Sequence, residues 1–401
     1  MLQPNLRATA PRLDASLHAA ATVNDLFEAI APVLVEDGAT FAFDGALEKR
    51  HARAIWIWLA RDVGPDLLDS AGRDPGVGGL EAIAPPLLAR AREIVAAARP
   101  GSDAELRLKA QIGAGHAWDR VPVMLGALKC LPLFGKAIAF GRAINAIEDE
   151  SALIAALESM PRHDAKLSAL LMMAAMGQVA APGRIVLAAI SIAGGETETA
   201  LERAGFSPLV EAILAQAQNL VPHIRQTGVF ADIDLACRAI ERFHRLLSAV
   251  NVYVELTHQG RWSSTIGGLI RSASADLEPR LRQLPSDVNR SLRRARDAAD
   301  RLDAEGLLAA LNGVYLLGAV RECRDSLALN EAFDEAWVHA GERLEFHLTR
   351  TMDALRETPG DTILAERLDV GIKMAEVRFG ADYADALRTG RDAAIRRSSG
   401  G

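Results

Sequence analysis

Residues 231–258 read ADIDLACRAIERFHRLLSAVNVYVELTH, and Ala236, Ile240, Phe243, Leu247, Val250 and Val254 recur at spacings of 4, 3, 4, 3 and 4. That period follows the α-helical turn and not the two-residue alternation of a strand. The stretch therefore predicts one helix of about seven turns with an apolar seam along one side. Such a seam suits antiparallel packing in a bundle, or a coiled coil if a partner supplies the other side. Ile240, Phe243, Leu247, Val250 and Val254 are accordingly candidate interaction residues. A second copy of the chain, docked through long helices, is one partner they would serve. Arg242, one position round, falls outside the seam.

The same style continues downstream, with helices predicted over 286–302, 304–327, 329–357, 361–378 and 381–397. Phe333, Trp337, Leu344, Leu348, Met352 and Leu355 make a second long stripe. Residues 230–401 thus read as a long-helix bundle.

Upstream, from 85 to 229, the predicted helices are shorter: 86–98, 102–113, 116–129, 136–147, 151–159, 164–178, 183–193, 197–203 and 208–226. Pro161, Pro182-Gly183, Gly194-Gly195 and Gly205 punctuate them. Asp164 is placed to cap one helix, and Ser207-Pro208 supplies an N-cap followed by proline at the first helical position. Residues 1–84 read as an N-terminal helical segment. A helix over 22–36 opens on Thr22-x-x-Asp25 and closes at Gly38, and a second, capped by Asp44, carries Ala52, Ile55, Trp56 and Leu59. Residues 64–79 (GPDLLDSAGRDPGVGG) read as a long loop. The β-like patch Ala39–Phe43 has no partner strand nearby and reads as loop. The fold class is all-α: a short-helix N-terminal half, solenoid-like or bundled, followed by a long-helix bundle.

One segment favours the solenoid. Ala188–Leu214 reads AAISIAGGETETALERAGFSPLVEAIL. Ala189, Ile190, Ile192 and Ala193 suit a first Ala/Leu-rich helix, Ala204-Gly205 a small break, and Leu209, Val210, Ile213 and Leu214 a final capped helix. The segment resembles a single armadillo repeat and covers 27 of 401 residues. The resemblance implies an α-solenoid that binds protein partners. Ser191 stands where that family usually carries asparagine, so no binding role passes to that position.

Composition narrows the function classes. Half of the residues are apolar, which excludes disorder over most of the length, while aromatics are only 5%. A formal charge of −7 argues against a nucleic-acid surface over the whole chain. Cys130, Cys237 and Cys323 form no CxxC or Cys/His cluster and read as free thiols in a reducing compartment. The first 20 residues lack the apolar core of a secretory signal. The most lipid-like stretch, Leu167–Gly183, is 17 residues long and is broken by Gly177 and Pro182. Two core helices explain it better than a membrane span, which needs about 20 apolar residues. The expectation is a cytoplasmic protein with no membrane span.

Few constellations carry chemistry. Glu241/His244 and Glu255/His258 are Glu-x-x-His units of the kind that present a carboxylate and an imidazole to a metal. On one helix, 14 residues apart, they would lie about 21 Å from each other and could not share an ion. His116, Trp118, Asp119 and Arg120 form a polar-aromatic cluster at a helix start, a candidate small-molecule contact. No GxxxxGK[ST] or GxSxG occurs. Residues 286–301 hold five arginines against three aspartates, which reads as a solvated face. No catalytic residue, cofactor or metal is expected. The leading expectation is a scaffold or adaptor for protein–protein interaction; the alternative is a helical enzyme or sensor with a small-molecule pocket between helices.

Overall fold

The computed structural model describes residues 22–38, 41–71, 76–113, 115–225, 232–293 and 302–396. Of these, 79% are helical, in 17 α-helices, so the fold is all-α. The chain divides into two compact units. The first comprises Met1–Asn219 and Leu246–Thr265, the second Leu220–Arg245 and Ile266–Gly401. The boundary expected near 230 falls in 226–231, outside the described residues, as do 294–301 of the arginine-rich stretch and the tail from 397.

The first unit opens with α1 (Val23–Ala29), followed by a single 3-10 turn and a two-residue strand β1 (Leu34–Val35). β1 pairs in parallel with β2 (Leu47–Glu48), Leu34 opposite Leu47. The expected helix over 22–36 is therefore α-helical over 7 residues only, Val23–Ala29. Thr22 sits at the cap position but makes no cap hydrogen bond. Its hydroxyl instead accepts from the Trp56 indole at 3.0 Å, inside the core. The next helix, α2 (Lys49–Trp58), starts after Glu48 and not at Asp44, because residues 47–48 are held in the strand pair. Trp56 and Trp58 are both buried.

Residues 64–79 are not the loop their Gly and Pro content suggested. Pro65–Ala71 is helix α3 and Gly76–Ala97 is helix α4, on either side of the undescribed residues 72–75. Pro65 sits at the first position of α3, where its missing N–H costs nothing.

After α5 (Asp103–Ile112), the helices predicted over 116–129 and 136–147 form one helix, α6 (Ala117–Ile144), running through Pro122 and Pro132. An interior proline costs about 3 kcal/mol or more. Burial of one large apolar side chain returns about 1.5–3 kcal/mol. Met124, Leu128, Leu131 and Phe134 are all buried around the two prolines, so packing outweighs the break. α6 packs on α2, α4, α5 and α8 (Ala165–Met176) and is the axis of this unit. At Gly141 a Cβ would lie 2.2 Å from the Ala175 carbonyl oxygen, so only glycine permits that approach to α8. By length and composition α6 is also the one helix among the described residues able to cross a membrane, and half of its apolar window is buried within the protein.

α7 (Glu150–Glu158), α8, α9 (Pro182–Ala193) and α10 (Glu198–Arg203) follow with local caps. Asp149, Asp164 and Thr197 each accept a backbone N–H three residues on. The stretch 167–183 is split between α8 and α9, as expected of two core helices. The segment 188–214 is built from the end of α9, α10 and the start of α11 (Ser207–Ile224). The helices stand where the resemblance placed them, but the fold does not show an armadillo repeat.

The seam helix, α12 (Ile233–Asn251), has 19 residues rather than 28. Beyond it the chain leaves the helix: the Glu255 N–H donates to the Glu196 carbonyl at 2.9 Å, and the Glu255 carbonyl accepts from Glu198 N–H at 3.4 Å. Arg261–Leu292 is a single 32-residue helix, α13, through Pro279 and Pro285, where a helix was expected only from 286.

In the second unit α14 (Ala304–Arg321), α15 (Asn330–Glu357), α16 (Thr362–Phe379) and α17 (Ala381–Arg396) pack on one another. Asp303 caps α14 and Asp361 caps α16. Trp337 on α15 lies between Arg378, 4.1 Å from the ring centroid, and Arg321 at 5.6 Å.

Candidate functional site

The polar cluster at the start of α6 separates into an outward and an inward part. His116 and Asp119 are exposed, with Nδ1 and Oδ2 3.4 Å apart. Trp118 is half-buried and bonds Glu105, whose carboxyl is held below its usual range chiefly by Lys109. Arg120 turns inward: Nη2 donates to the Phe43 carbonyl at 2.6 Å and to that of Ala46. Burial pushes its guanidinium pKa down, while Asp44, Glu48 and Asp119 push it up. His116 and Asp119 thus pair with each other, while Trp118 pairs with Glu105.

The segment Arg120 holds is also held by others. Gln218 on α11 bonds both backbone groups of Phe41. Arg261 stacks on the Phe41 ring at 5.5 Å and pairs with Glu211 at 2.7 Å. Burial raises the Glu211 carboxyl above its usual range, while Arg261 opposes that rise. Residues 41–46 are thus fixed by three helices from distant parts of the chain. No local spacing announces such an arrangement, and the residues responsible point to no reaction.

The Glu-x-x-His units come apart. Glu241 is exposed, and His244 lies half-buried with Nδ1 2.8 Å from Ser326 Oγ. Glu255 and His258 lie past the end of α12, Glu255 in the backbone pairing with 196–198 and His258 in an exposed turn. Among the described residues no three His, Cys, Asp or Glu side chains gather as a metal site. The seam residues Ile240, Phe243, Leu247, Val250 and Val254 are all buried within the chain itself. They are core, because side chains already removed from water have no apolar surface left to offer a partner.

Exposed apolar side chains remain on several helices, among them Leu187 on α9, Val338 and Phe346 on α15, and Leu308 and Tyr315 on α14. From Gly306 to Val320 this helix (GLLAALNGVYLLGAV) carries no charge. Leu307, Ala310, Val314 and Leu317 are buried. A stripe of Leu308, Leu311, Tyr315 and Ala319 runs alongside, at spacings of three or four, with Leu308 38% and Tyr315 41% exposed and Leu311 and Ala319 half-buried. A helix apolar on every side is ordinarily buried on every side. This one leaves Leu308 and Tyr315 partly uncovered, although Leu316 and Val320 are buried with the rest. The sequence reading passed over it because the stripe has no polar face to contrast with.

The class defined by these observations is an all-α protein in which α14 leaves apolar side chains exposed and in which, among the described residues, no three His, Cys, Asp or Glu side chains gather as a metal site. Comparison with protein-family models, curated proteins and solved structures gave no match.

Proposed function

We propose that the chain is a cytoplasmic helical scaffold that binds a protein partner through the Leu308–Ala319 face of α14, taking up an apolar face of a partner helix. The observation that carries this reading is the uncharged stretch 306–320 with Leu308 and Tyr315 exposed on it. The stripe spans about 16 Å, three helical turns, which suits one partner helix. Stable interfaces bury about 800 Å² per partner, so a surface this narrow fits a readily reversible association. Apolar contact supplies the affinity, because the face offers no charge for an ion pair.

The test is copurification from the native host with wild-type protein and with the Leu308→Glu/Tyr315→Glu double variant. Both changes lie on exposed positions, so circular dichroism should stay unchanged. A partner present with wild type and lost with the variant supports the reading. Identical sets of copurifying proteins contradict it.

A further inference from the structure

A basic cluster lies at the junction of α13, α15 and α16 in the second unit. On α15, Arg343, His347 and Arg350 are spaced four and three residues apart and so share one helix face. His347 Nε2 lies 2.9 Å from Asn289 Oδ1, which ties that face to α13 one turn before Arg293. At Gly371 on α16 a Cβ would come within 2.8 Å of Leu348 and 3.7 Å of Leu292. The three helices therefore meet beside His347, with Arg367 one turn before Gly371. His347 and Arg367 are buried, at 7% and 2% exposure, and Arg343, Arg350 and Arg293 are open to solvent.

We propose that Arg343, Arg350 and Arg293, with His347 beneath them, form a binding site for a phosphate-bearing anion. Guanidinium groups present planar donor pairs that match phosphate oxygens, and several together suit a group carrying more than one negative charge. Arg367 is engaged within the chain and is buried at 2% exposure, so it contributes its field from beneath. The electrostatics run the same way. Burial lowers the His347 pKa first, and Arg350, Arg343, Arg367 and Arg293 each lower it further. The imidazole therefore sits in positive potential, in a chain whose net charge is −7. An anion seated on the arginines would relieve that potential and return His347 toward its ordinary value.

The probes are pyrophosphate, followed by calorimetry and by the His347 imidazole signals in nuclear magnetic resonance, and vesicles of phosphatidylcholine with or without phosphatidic acid. Wild type should bind one probe saturably, with the His347 pKa rising on pyrophosphate addition. Arg343→Gln/Arg350→Gln should weaken binding tenfold or more, whereas Arg356→Gln, on the same helix, should leave it unchanged. Pyrophosphate binding without vesicle binding assigns a free phosphate compound, and the reverse assigns a lipid headgroup. If neither probe binds, or if the double variant binds as wild type does, the proposal is overturned.

Discussion

Gln218 completes both backbone hydrogen bonds of Phe41, 177 residues away: Oε1 accepts the Phe41 N–H at 2.8 Å, and Nε2 donates to the Phe41 carbonyl at 3.3 Å. The side-chain amide acts here as a neighbouring strand would, for a segment with no strand to pair with. Both residues are buried. A buried backbone group left unbonded costs about 1–3 kcal/mol. Gln218→Leu, close in size, should therefore destabilise the first unit by at least that much in urea unfolding. An unchanged midpoint would mean that water replaces the amide.

Phe243 on α12 is fully buried, so Phe243→Ala should cost about 3–5 kcal/mol through lost transfer energy and the cavity left behind. Arg242 is not the exposed control that the seam implied: it is half-buried and its guanidinium pKa is lowered by burial. Glu241 is exposed, and Glu241→Ala should shift stability by about 0.5 kcal/mol or less. Denaturant midpoints of the two variants, compared side by side, check both values.

These two helices mark how far the sequence could be read. Periodicity found α12 and its buried side, because apolar spacing reflects burial directly. The cap at Asp164 was legible for the same local reason. Proline was the poor guide. Pro132 lay between two expected helices and Pro285 just before another, yet α6 and α13 run through them, since burial on both sides exceeds the cost of one missing bond. Likewise Thr22 has the residue type of a cap, but a tryptophan 34 positions on takes its hydroxyl. Long-range partners of that kind leave no trace in spacing. The α14 face was hidden for the opposite reason, that a helix apolar all round has no contrast to read.

His51 on α2 gives the stability a pH dependence. Burial lowers its pKa below 6.5, with Arg50 and Arg120 adding to the effect and Glu48 and Asp37 opposing it. A histidine depressed in the fold binds its proton more readily when unfolded. Its contribution is therefore fully present above the unfolded value and is lost as pH falls from about 6.5 toward the folded value. Urea midpoints should fall between about pH 7.5 and 5.5. His51→Gln should flatten that fall, and an unchanged slope would remove His51 as a cause.

The thiols should be inert in the native state. Burial, with Glu241 adding to it, pushes Cys237 and Cys323 up to about 11. Since the thiolate is the nucleophile, alkylation near pH 8 should run on the order of a hundredfold slower than in the unfolded chain. Pulse labelling with iodoacetamide, read by mass spectrometry, measures the ratio. Native rates equal to unfolded ones would show these sites opening readily.

The reading of α14 as a docking face is tested most directly by a photo-crosslinker, benzophenone-alanine, placed at Tyr315 and, for comparison, at exposed Glu335 on α15. Irradiation in the native host should join position 315 to one protein, within a segment of helical apolar periodicity, and Leu308→Glu in the same chain should abolish the product. Position 335 should give no such product. If position 315 yields no adduct, or the same adducts as position 335, the apolar face of α14 is not where this protein meets a partner.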